Sequence, residues 1–135
     1  MKDHTGDPSL DILLKTMRLP SILQQYRQVA AEAEQGGWDF ILFLKQLITI
    51  EVEDRRLRKL ERLLKRSHLP KDKMLSSFDL ARMPTKIRRI VPELCKGAFV
   101  DKTENVLAFG LPGRGKTHLL CAIGHELIKR EIPVL

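Results

Sequence analysis

GLPGRGKTHLL, Gly110 to Leu120, is the stretch on which the reading of this chain turns. Gly110, Gly115, Lys116 and Thr117 satisfy the pattern G-x-x-x-x-G-K-[ST] without a mismatch. Each residue type has a physical reason to be there. Phosphate oxygens need several donors at close range, and backbone N–H groups supply them when a loop curls into a nest. Gly110, Gly113 and Gly115 permit positive φ and close backbone approach. Lys116 offers a point charge to β- and γ-phosphates, and the Thr117 hydroxyl is a ligand for Mg²⁺. A helix opening at Lys116 adds unpaired N–H groups and the positive end of its dipole. The site expected is Gly110, Leu111, Pro112, Gly113, Arg114, Gly115, Lys116, Thr117 and His118. His118 is expected to pack or hydrogen-bond at the helix start, not to act as a base. No catalytic residue is assigned.

Working outward, NVLAF (Asn105–Phe109) is a short continuous apolar run, suited to a buried parallel strand. Residues 116–130 carry Leu119, Leu120, Ile123, Leu127 and Ile128 at helical spacing, and IPVL (Ile132–Leu135) reads as the start of a second strand. Strand, glycine loop, helix and strand make the opening βαβ unit of a P-loop α/β domain. Hydrolysis in this class needs a further acidic strand for Mg²⁺ and often an arginine from a neighbour. Neither fits before Leu135, so a truncated domain with little or no turnover is expected. In an isolated chain the apolar stripe of the 116–130 helix would be exposed.

Upstream the pattern is helical. After eight residues that read as frayed, helices are expected at 10–19, capped by Ser9, and at 21–35, with Pro20 in its first turn and Gly36-Gly37 as its stop. Asp39 caps the longest, Phe40 to about Arg66, and Thr85–Lys96 forms another with Pro92 inside it. The expected organisation is a helical module over residues 1–97 and an incomplete P-loop domain over 98–135. His125 reads as one more helix-surface residue.

The charge is concentrated. Residues 1–50 are net −1, residues 51–100 net +7 and residues 101–135 net +1. In EVEDRRLRKLERLLKRSH (Glu51–His68) a stripe of Leu57, Leu60, Leu63 and Leu64 is surrounded by cations. Arg55, Arg56, Arg58, Lys59, Arg62, Lys65 and Arg66 are therefore candidates for DNA contact, since such a block attracts polyanions by counterion release. Glu51–Arg55 and Glu61–Lys65 read as i,i+4 pairs, each contributing only a few tenths of a kcal/mol.

The N-terminus lacks the apolar core of a secretory signal. The longest apolar run, FILFL (Phe40–Leu44), is far short of the ~20 residues of a membrane span. Cys95 and Cys121 fit no metal spacing and read as reduced, buried thiols. A cytoplasmic protein without a membrane partner is expected.

From about Leu10 onward the chain resembles the N-terminal half of IstB-like ATP-binding proteins, transposition helpers of insertion sequences. These are related to DnaC-type helicase loaders within the AAA+ ATPases. The resemblance is carried by MRLPSILQQYRQVAAEAE (Met17–Glu34), FLKQLITIEVEDRRLRKLERLLKRSHLP (Phe43–Pro70), SSFDLARMP (Ser76–Pro84) and ENVLAFGLPGRGKTHLLCAIGHE (Glu104–Glu126). It implies a Walker A loop at Gly110–Thr117 with ATP and Mg²⁺ as cofactors. It also implies a homo-oligomer in the full-length parent, with DNA and a cognate transposase as partners. Arg114 departs from the small or neutral residue usual before Gly115. Two other functions fit the same residues less well, a DnaC-like helicase loader and a non-catalytic helical module for DNA or protein contact.

Overall fold

The computed structural model describes residues 6–135. Among them are six α-helices and no β-strand: α1 (Pro8–Thr16), α2 (Pro20–Gly36), α3 (Phe40–Ser67), α4 (Thr85–Lys96), α5 (Ala98–Asp101) and α6 (Lys116–Lys129). Single 3₁₀ turns at Leu75–Ser77 and Leu80–Arg82 lie in the connector between α3 and α4. The chain divides into two compact units, residues 1–58 and 59–135, with the boundary inside α3. The first five residues of the stretch read as frayed lie outside the described residues, and α1 begins at Pro8.

In the first unit each helix start has an identifiable cap. Asp7, not Ser9, caps α1: its carboxylate accepts from the Ser9 amide at 2.9 Å and the Ser9 hydroxyl at 2.7 Å. Asp39 accepts from the Leu42 amide at 2.7 Å at the start of α3. Leu19, at the start of α2, has no capping side chain of its own, and Glu51 of α3 fills that role. Gly37 ends α2 at φ +61°, the left-handed conformation that glycine adopts without strain. Asp11 accepts from the Tyr26 hydroxyl at 2.8 Å and from Arg27 at 2.7 Å, which pins α1 to α2. Ile22, Val29 and Leu47 form the buried core, surrounded by Leu14, Leu19, Tyr26, Trp38, Phe43 and Ile50.

The second unit corrects the fold class. The βαβ unit is not formed, because neither expected strand exists. A strand is defined by its ladder to a neighbour, and an apolar run alone does not supply one. Asn105–Phe109 has no strand beside it, and Leu107 and Phe109 are 74% and 87% exposed. The second run is used differently. The Ile132 amide closes the end of α6 on the Leu127 carbonyl at 3.0 Å, and Ile132 and Val134 pack on the helical core. That core is Val91, Cys95, Ile123 and Leu127, so α4 covers α6. The stripe on α6 expected to be exposed is thereby largely buried.

Gly97 separates α4 from α5 at φ +81°, and a Cβ there would meet Ile132 Cδ1 at 2.5 Å. His125 is not a surface residue: it is 3% exposed, and its Nε2 lies 2.9 Å from the Pro70 carbonyl. A carbonyl only accepts, so Nε2 carries the proton there. Cys95 is buried and Cys121 half-buried, and neither forms a disulfide.

Candidate functional site

The loop of residues 110–116 returns on itself. Lys116 is the first residue of α6, and its Nζ donates to the carbonyls of Gly110 and Leu111, each at 2.8 Å. An ammonium has three donors, so one remains for another acceptor. Gly113 and Gly115 take φ +74° and +82°, turns that a residue with a Cβ would make only under strain. Gly115 is the N-cap of α6 and supplies no side-chain cap, and the Leu119 amide is bonded to the Gly115 carbonyl at 2.9 Å. The amides of the first turn precede that bond and have no intrahelical carbonyl to reach.

Arg114 and Thr117 are exposed, as are Leu111, Pro112 and Gly113. His118 is half-buried and faces the connector. Its Nε2 lies 3.2 Å from both the Met74 carbonyl and the Ser77 hydroxyl. Its ring stands edge-on to Phe78, with centroids 5.1 Å apart. Its contacts are thus packing and hydrogen bonding beside the start of α6. Among the described residues no group of three or more His, Cys, Asp or Glu could hold a metal ion. A cavity of about 510 Å³ opens beside the loop, lined mainly by apolar side chains, with Arg82, Arg114 and Lys116 at its wall.

The connector was the part that sequence reasoning left without a role. Phe78 packs on Gly115, where an added Cβ would stand 3.2 Å from the ring. The only signal was the SSFD stretch itself, which has no period and no motif chemistry.

The cationic residues of α3 are not equivalent. Glu51 is buried, and its Oε2 accepts from the Ser21 and Ile22 amides at 2.8 and 3.2 Å. Its Oε1 meets Arg55 at 3.2 Å and Arg58 at 3.3 Å. Arg55 also donates to the Arg18 carbonyl, and Arg58 to the Ser21 hydroxyl. Two of the seven cations therefore hold a buried carboxylate in the first unit. The expected surface pair Glu51–Arg55 is part of that arrangement. In the second unit Lys59 is ion-paired with Glu131. Arg56, Arg62, Lys65 and Arg66 are exposed.

The profile of the family described as IstB-like ATP binding protein matches residues 12–135. The chain belongs to the IstB-like ATP-binding protein family. A protein of Sinorhizobium fredii named as an insertion sequence ATP-binding protein is 38% identical over 127 residues, covering 93% of this chain and 43% of that protein. The ATP-binding protein named for insertion sequence IS5376 of Geobacillus stearothermophilus is 34% identical over 114 residues, covering 84% of this chain and 45% of its own length. Its counterpart named for IS21 in Pseudomonas aeruginosa is 34% identical over 119 residues, with 88% and 45% covered. This IstB-like chain thus spans less than half the length of these relatives. No helix among its described residues is long and apolar enough to cross a membrane.

Proposed function

We propose that this chain binds ATP through a Walker A loop, Gly110–His118, and serves as the nucleotide-binding helper of an insertion sequence. The observation that carries the reading is the Lys116 ammonium, held by the carbonyls of Gly110 and Leu111 at the mouth of a loop turned by two left-handed glycines. The residues suit a triphosphate. Backbone amides at the start of α6 donate to phosphate oxygens, and the remaining N–H of Lys116 adds a charged donor. The apolar cavity beside the loop has the volume of a small-molecule site and suits the base. Mg²⁺ neutralises phosphate charge when it arrives with the nucleotide, and the Thr117 hydroxyl is the oxygen this chain offers it.

In this reading the helical part, residues 1–97, meets DNA and a cognate transposase, and residues 98–135 carry the nucleotide. The exposed Arg56, Arg62, Lys65 and Arg66 supply phosphate contacts, with Arg55, Arg58 and Lys59 adding charge from their ion-paired positions. The names of the relatives support the insertion-sequence role. The full-length protein acts as a homo-oligomer in the cytoplasm.

Calorimetric titration with Mg²⁺-ATP tests the site. Saturable binding that Lys116→Ala abolishes is expected, and equal binding by the two proteins would reject the loop as the site. A second reading, a helical interaction module, draws on the all-helical architecture. It predicts DNA binding that is indifferent to both ATP and Lys116→Ala.

A further inference from the structure

The connector between α3 and α4 is fastened to the glycine loop at two points. At the first, the Phe78 ring lies against Gly115, its Cε2 3.2 Å from where a Cβ would stand. Gly115 sits at φ +82° and opens α6, so the ring neighbours the residue that aims the first helical amides. At the second, His118 reaches the connector. Its Nε2 faces the Met74 carbonyl and the Ser77 hydroxyl, both at 3.2 Å. The Ser77 oxygen lies 2.7 Å from the Asp72 carbonyl and 2.9 Å from the Met74 carbonyl. Its single proton is spent on a carbonyl, so both neighbours of Nε2 accept and Nε2–H is the donor. The edge-on contact between Phe78 and His118 joins the two points.

We propose that Phe78 and His118 are positioning residues that make the folded connector 74–80 and the anion-ready glycine loop one coupled unit. The proposal rests on the nucleotide reading of the loop and adds a regulatory consequence to it. Whatever orders the connector tightens ATP binding, and ATP orders the connector by the same factor, because coupling between two sites is reciprocal. The His118 ring is held by the connector, and Phe78 also lines the cavity beside the loop, so their effect on the loop itself is read in the ligand-free protein. They act through Gly115 and through the first turn of α6. A partner that pulled on the connector would loosen the nucleotide without reaching the loop.

The experiment combines hydrogen exchange with ATP titration on the full chain. Without ligand, Phe78→Ala is expected to speed exchange at the Leu119 amide, which is bonded to Gly115, and His118→Leu to speed it at the Ser77 and Phe78 amides. With Mg²⁺-ATP, the wild type gains protection at residues 75–80. Both variants bind roughly tenfold more weakly, within the usual range of coupling. His118→Gln, whose amide nitrogen reaches the position of Nε2, restores affinity. Ile132→Ala is the control for mere destabilisation, since Ile132 packs on the core of the same unit and belongs to neither the connector nor the loop. It is expected to lower the melting temperature and leave ATP affinity unchanged. Weakening by Ile132→Ala equal to that by Phe78→Ala would overturn the proposal, as would normal affinity in both Phe78→Ala and His118→Leu. If the wild type bound no ATP, the nucleotide reading would fail by itself. The ligand-free exchange comparison would still decide the coupling, and unchanged exchange at Leu119 in Phe78→Ala and at Ser77 and Phe78 in His118→Leu would reject it.

Discussion

Glu51 caps a helix to which it does not belong: its carboxylate accepts the backbone amide of Ser21, thirty residues earlier, at 2.8 Å. The Ile22 amide shares the same oxygen, while Arg55 and Arg58 hold the other. A start of α2 without its own capping side chain is thus satisfied from α3. Glu51→Ala leaves two amides unbonded inside the first unit, and loss of such partners costs about 1–3 kcal/mol. Urea denaturation is expected to show that loss, while Glu53→Ala, on the exposed side of the same helix, changes stability little.

His125 is a structural residue of the second unit. His125→Leu fills the space but leaves the Pro70 carbonyl without its donor, so a destabilisation of about 1–3 kcal/mol is expected. A urea midpoint equal to that of the wild type would show that the bond contributes nothing.

The two thiols are expected to differ in reactivity. Burial pushes the Cys95 thiol above its ordinary range, with nearby Glu126 adding to the effect. The raised value means that the fold favours the neutral thiol. That contribution is full below the unfolded value near 9 and shrinks as pH rises through the folded one. At pH 8 the half-buried Cys121 is expected to react with a disulfide reagent before the buried Cys95, which follows as the chain opens. Equal rates in the folded protein would contradict the packing of α4 on α6.

DNA affinity tests the division among the cations of α3. Charge reversal at Arg62, Lys65 and Arg66 is expected to weaken binding at low salt without a change in melting temperature. Each phosphate contact removed lowers the slope of log K against log salt by about 0.9. Reversal at Arg55 and Arg58 is expected to lower the melting temperature as well, since both hold Glu51.

How much of this was legible in the residues depends on which interactions are local. Apolar period, proline and glycine placed α2, α3 and α4 within a residue or two, because those signals act along one turn. The turn over residues 110–116 was legible for the same reason: its glycines and lysine lie within seven residues of one another. The strands failed because a ladder is a contact between distant segments, and Asn105–Phe109 and Ile132–Leu135 found no such partner. The same distance hid the roles of Glu51, His125 and Phe78: the amides that Glu51 caps, the Pro70 carbonyl that His125 meets and the Gly115 that Phe78 meets are all far from them in sequence.

In the proposed function ATP sits on the glycine loop. The most direct measurement is a ¹H–¹⁵N spectrum of the full chain titrated with Mg²⁺-ATP, read amide by amide. The account predicts saturable shifts largest at residues 113–118, lost in Lys116→Ala. Saturating shifts centred elsewhere, or an unchanged spectrum in the loop at millimolar ATP, would contradict it.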